Sequence, residues 1–186
     1  MNSKTIAVIA VFTALTVALV LSPAKIPAPY APFLKYQIWE IPIVAAFIFY
    51  DPSVGVSISV MNTIVLLGLY PGDLPTGPLY NLAAVLSMLL GIYVMHKLVA
   101  THSTGRQEMI QVISSTALGT ILRVGIMSIV NLVFLQYPYP VGFEMPMEAI
   151  VAMLPLIGLF NGTLALYTIP IGYFLAKAVS YGKKIS

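Results

Sequence analysis

The chain has 186 residues, 59% of them hydrophobic and 8% charged, roughly a third of the charge of an ordinary soluble domain. So few charges cannot clothe a water-soluble globule, and the bilayer is expected to be the main solvent. The formal charge of +3 is small and spread along the chain, which excludes an electrostatic nucleic-acid binder; zero cysteines exclude a disulfide framework, a thiolate metal site and a cysteine nucleophile.

A spanning helix needs about 20 apolar residues to cross about 30 Å of hydrocarbon. On that template helix 1 covers about 4–22. Its apolar run, Thr5 to Leu21, is long for the core of a signal peptide, and a Pro-rich stretch follows it in place of a small-residue cleavage site. It reads as a retained first span. A loop from Ser22 to Pro32 leads to helix 2, which begins near Tyr36–Glu40 and stops at Tyr50-Asp51-Pro52. Counted from Glu40, helix 2 has only about 11 residues, or about 17 Å, too short to span. Two readings stay open: an earlier start that tucks Lys35 and Gln37 against protein, or a shallow helix beside a loop that dips into the bundle.

Helix 3 is expected over about 53–70 and helix 4 over about 79–98, followed by a polar linker from Thr101 to Glu108. Helix 5 covers about 109–135, a loop runs from Gln136 to Pro146, and helix 6 covers about 148–179 with kinks at Pro155 and Pro170. A basic tail, Tyr181 to Ser186, closes the chain. The expected fold is an all-α integral membrane protein, a six-transmembrane-helix bundle in which 1–186 form one transmembrane domain.

With six spans both termini share a side. That side carries Lys4, Lys97, Arg106, Lys177, Lys183 and Lys184, against Lys25 and Lys35 opposite, which puts both termini in the cytoplasm of a cell-membrane protein. Tyr30, Tyr36, Trp39, Tyr70, Tyr80, Tyr137 and Tyr139 cluster at the other end, as an interfacial belt would.

Polar residues within spans are costly and therefore functional candidates: Glu40, Asn62, Asn81, Arg123, Asn131 and Asn161. On helix 5, Arg123 and Asn131 are eight residues apart and so about 80° apart around the axis, within reach of one concave pocket. Each has a plainer reading. Arg123 pairs with Glu40 or with helix-end carbonyls, and each Asn bonds a neighbouring helix. Ala10, Ala14 and Ala18 form a smooth stripe on helix 1, suited to close approach by another helix.

No paired-aspartate metal motif, His-Glu-x-x-His, Gly-x-Ser-x-Gly or Walker A loop is present, so no catalytic or metal-ligating residue is assigned. His96 and His102 lie at the cytoplasmic end of helix 4 and in its linker, where solvation explains them.

Leu34-Lys35-Tyr36-Gln37-Ile38-Trp39-Glu40-Ile41-Pro42 resembles the Leu-Lys-x-Asp-x-Ser-Asp-Ile-Pro run that opens helix 2 in S components of energy-coupling factor (ECF) vitamin transporters, closest to the riboflavin-binding branch. Gly77-Pro78-Leu79-Tyr80-Asn81 resembles that branch's start of helix 4, and Leu159-Phe160-Asn161 its Pro-Phe-Asn in helix 6. The sequence departs from the branch at Gln37, where Asp is usual, at Trp39, which replaces Ser, and at Leu164, which stands in place of Lys.

The resemblance implies a six-helix vitamin-binding subunit with no cofactor. Its outward site would be capped by the loop between helices 1 and 2, with Tyr36, Gln37, Trp39, Glu40, Asn81, Arg123, Asn131 and Asn161 as ligand-binding candidates. It implies docking of the Ala10, Ala14 and Ala18 stripe on a transmembrane T subunit, and transport only with that subunit and two cytoplasmic ATPases. Riboflavin or a related heterocycle is the expected ligand. Another vitamin or micronutrient (pantothenate, a pyrimidine or thiamine precursor), a membrane-embedded enzyme and a structural subunit are the alternatives.

Overall fold

The computed structural model describes residues 2–69, 72–99 and 105–185. Tyr70, His102 and much of the 4–5 linker therefore lie outside the described residues, as do the side chains of Gly105 and of the basic tail.

Helix α1 covers Ser3–Leu21, and the Asn2 side chain caps it by accepting from the Thr5 N–H at 2.9 Å. The Pro-rich segment that follows is not an irregular loop. It folds as an antiparallel hairpin of β1 (Ile26–Ala28) and β2 (Ala31–Tyr36), with a register irregularity between Pro27 and Ala28. Pro32 of β2 is not among the positions paired across the hairpin, so its missing N–H costs no ladder bond there.

Helix α2 is Glu40–Phe49, ten residues and about 15 Å long. Pro42 falls in its first turn, where the N–H would have had no partner in any case. The helix starts no earlier than Glu40, and it is not shallow either: it is a short helix buried among the longer ones. The other helices are α3 (Pro52–Leu69), α4 (Gly77–Leu98), α5 (Gly105–Phe134) and α6 (Met147–Ile185). Asp51 caps α3, its carboxylate accepting from the Ser53 N–H at 2.8 Å. Helices α4 and α5 start earlier than the sequence suggested and α6 ends later, as expected where flanking polar residues continue a helix beyond its apolar run.

Five helices among the described residues, α1, α3, α4, α5 and α6, are long and apolar enough to cross a membrane. Of the six helices, α2 alone is too short to qualify by length. Their outer faces carry bare apolar side chains, such as Val11, Ile113, Ile121, Ile129 and Phe174, each more than 60% exposed. Such faces call for a hydrocarbon solvent.

Helix α2 is the opposite case. It packs against α1, α3, α4 and α6, and seven of its ten residues are buried. A helix too short to reach both interfaces is stable in a membrane only when protein surrounds it. Ile43, Val44, Ala46 and Phe47 of α2 meet Ile58, Met88, Leu89, Ile92 and Ile169 in the main core. The fit is tight at Gly172 of α6, where a Cβ would fall 2.5 Å from a Val44 methyl carbon.

Candidate functional site

The site is a cavity of about 520 Å³ at the hairpin end, walled by residues of the hairpin, of the chain that leads into α2 at Glu40, and of α4, α5 and α6. Seven of the eight candidate ligand residues line it: Gln37, Trp39, Glu40, Asn81, Arg123, Asn131 and Asn161.

Arg123 is the cavity's innermost cation, 2% exposed, facing a Glu40 that is 3% exposed. The two form a bidentate pair: Nη2 donates to Glu40 Oε1 at 2.9 Å, and Nη1 donates to Oε2. Nε donates to Asn161 Oδ1 at 3.1 Å, and Nη1 also approaches Met88 Sδ at 3.6 Å. Asn161 uses an N–H on the Ile157 carbonyl at 3.0 Å, so both ends of its amide are engaged. The plain reading of Arg123 as Glu40's partner is therefore realised inside the cavity wall. Such a pair is weak support for stability, yet removing one member strands a buried charge at a cost of about 3–5 kcal/mol.

Other polar groups here are unspent. Gln37 Oε1 is buried with no hydrogen-bond partner among the described residues. Asn131 gives an N–H to the Met127 carbonyl at 2.7 Å, and among the described residues no group donates to its Oδ1. Asn81 is exposed at the cavity and makes no side-chain hydrogen bond among the described residues. An unpaired buried acceptor costs about 1–3 kcal/mol, so a group left this way in a cavity wall is suited to a ligand's donor.

Tyr36 is placed differently from the other seven. Its ring packs behind Phe160, with centroids 4.9 Å apart, and its hydroxyl meets that of Tyr30. Phe160 lines the main cavity, whereas Tyr36 lines a smaller neighbouring recess of about 280 Å³. Desolvation, reinforced by the Tyr36 hydroxyl, pushes Tyr30 up to about 12, so Tyr30 is neutral at physiological pH. Tyr167 fastens this corner by donating to the Gln37 carbonyl at 2.6 Å. The hairpin's return strand is thus tied to α6 beside the cavity.

Sequence reasoning missed Phe160, Tyr80 and a group of methionines, Met127, Met145 and Met153, all of which line the cavity. Phe160 and Tyr80 stand next to singled-out asparagines. The methionines carry no motif, and only the packing of α5 against α6 and the 136–146 loop gathers them.

Asn62 is remote from this group. It donates to Thr16 Oγ1 at 2.9 Å and joins α3 to α1. Ala10, Ala14 and Ala18 are all exposed on α1, while Ile9, Thr13, Thr16 and Val20 face inward. A larger cavity of about 690 Å³ opens at the opposite end between α5 and α6, with the exposed Glu108–Lys177 pair at its rim. It collects none of the candidates, and its one histidine, His96, is engaged with Tyr173, which donates to Ser115 at 2.9 Å. Among the described residues no three His, Cys, Asp or Glu side chains are placed to hold a metal ion.

No protein-family model matches the sequence, and no curated protein does. Among solved structures the chain is similar to the S component of a bacterial ECF transporter, with a TM-score of 0.73 and 23% identity over 99% of each chain. The likeness establishes a shared fold from end to end.

Proposed function

We propose that a chain with the S-component fold and a hairpin-capped cavity at one end of its bundle is itself an ECF S component, a subunit that binds a vitamin and hands it on. The observation that carries this is the cavity. It is about 520 Å³, within the usual range for small-molecule sites, and it combines aromatic walls with unspent amides. Phe160, Tyr80 and Trp39 offer ring faces, while Gln37, Asn81 and Asn131 offer polar edges. That combination suits a flat heterocycle with a polar rim, and riboflavin or a relative is the ligand we assign. Pantothenate and pyrimidine-type precursors are the competing ligands.

On this reading 1–186 work as one transmembrane unit with both termini cytoplasmic, and the hairpin end faces outward. The chain binds and does not catalyse. Its sequence carries no Walker A loop, and on this reading it depends on a T subunit and two cytoplasmic ATPases, with α1 meeting the T subunit through Ala10, Ala14 and Ala18. Mass spectrometry of small molecules released from the purified protein tests the proposal directly. A stoichiometric vitamin supports it; a lipid, or no small molecule even after growth with supplied vitamins, defeats it.

A further inference from the structure

The cavity's charges are arranged in a way that bears on what enters it. Four charged side chains line it, Lys35, Glu40, Asp73 and Arg123, two of each sign. Lys35 and Asp73 are exposed, where solvent screens them, so the deep electrostatics belong to Arg123 and Glu40.

A buried arginine in a pocket ordinarily reads as an anchor for a carboxylate or phosphate. Here that capacity is spent. Of the guanidinium's five N–H groups, one serves Asn161, two serve the Glu40 carboxylate and one points to Met88, which leaves a single Nη2 N–H. An anion approaching Arg123 also meets the Glu40 charge at nearly the same range, so attraction and repulsion cancel while the anion's desolvation cost remains. The unspent groups are uncharged: Gln37 Oε1, Asn131 Oδ1 and the Asn81 amide.

Resting on the vitamin-binding reading above, we infer that the cavity selects an electroneutral ligand bearing both hydrogen-bond donors and acceptors, and that Glu40 is the specificity-determining residue. By neutralising Arg123, Glu40 excludes anionic analogues of the same size. Asn161 accepts from Arg123 Nε at 3.1 Å beside this pair.

The test uses probe pairs that differ in charge: riboflavin against its 5′-phosphate, and pantothenol against pantothenate, titrated into the purified full chain. The neutral member of a binding pair should be preferred by at least about tenfold, and Glu40→Gln, which leaves the Arg123 charge uncompensated, should shrink that preference by about tenfold. The double variant Glu40→Gln/Arg123→Gln removes both charges; its affinity should fall while its preference for the neutral member stays. If Glu40→Gln does not fold, the parent ratio and the double variant decide. A parent protein that binds the anionic member as well or better overturns the inference and leaves the vitamin reading standing. An unchanged ratio in a folded Glu40→Gln does the same. A parent that binds neither pair overturns the inference as well, while the vitamin reading is decided separately by the small molecule released from the purified protein.

Discussion

A Cβ placed on Gly91 would lie 2.5 Å from the Cα of Gly119, so the backbones of α4 and α5 touch where they cross. Arg123 stands one turn beyond Gly119, and Met88, which approaches its guanidinium, stands one turn before Gly91. The buried cation thus sits next to a glycine crossing that lies outside the cavity lining. Small residues at such crossings let helices approach closely in a membrane.

Gly91→Ala should push α4 from α5 and destabilise the fold by about 1–3 kcal/mol, the usual cost of overpacking. Gly125→Ala is the control: a Cβ there meets nothing within 4 Å, and alanine favours the helix. Thermal unfolding in detergent should show a lowered midpoint for Gly91→Ala and an unchanged or raised one for Gly125→Ala. Equal midpoints would mean that the crossing can relax at no cost.

The unspent amides are expected to dominate affinity. Asn81→Ala and Asn131→Ala should each weaken binding by about 1–3 kcal/mol, or roughly five- to 150-fold, because a ligand polar group is then left unpaired. Asn62→Ala should leave affinity alone and lower stability by about 0.6–2 kcal/mol, since it severs the bond from α3 to Thr16 of α1. Intrinsic fluorescence titration with a flavin ranks the three. Unchanged affinity in both Asn81 and Asn131 variants would remove this cavity as the binding site.

Ala14 is exposed on α1, and a cleft between α1 and α3 runs beside it. Ala14→Trp should block close approach of a T subunit while ligand binding persists, because Ala14 does not line the hairpin-end cavity. Copurification with the transporter partners reads the first effect and ligand titration the second. Retained copurification together with vitamin uptake would show that α1 is not the docking face.

With no native cysteine, topology can be read by labelling. Gly72 is exposed between α3 and α4, and a Cβ there meets nothing. Gly142 is a poor choice, since a Cβ would fall 2.2 Å from the Phe134 carbonyl; its neighbour Phe143, 52% exposed, is preferable. Gly72→Cys and Phe143→Cys should react with an impermeant maleimide in sealed cells, and Ser180→Cys, near the far end of α6, should react only after lysis. Labelling of Ser180→Cys in intact cells would invert the orientation.

The membrane character and the positions of the long helices were legible in the sequence, because a run of about 20 apolar residues carries its own explanation: every backbone group is satisfied within the segment. The cost of intramembrane polarity singled out Glu40, Asn81, Arg123, Asn131 and Asn161 one at a time, with no knowledge of their neighbours. What only the tertiary structure decided was which of them meet, and in what state. The segment from Ile26 to Tyr36 has no helix period and three prolines, and only the fold shows that it turns back on itself to pair Ile26 with Tyr36 and Ala28 with Ala31. Glu40 and Arg123 are 83 positions apart, and only the packing of α2 inside the ring of longer helices makes them a pair. Their pairing turns an apparent anion anchor into a neutral wall, a change of chemistry that side-chain identity cannot carry, because charge in a low-dielectric interior is a property of the pair and not of the residue.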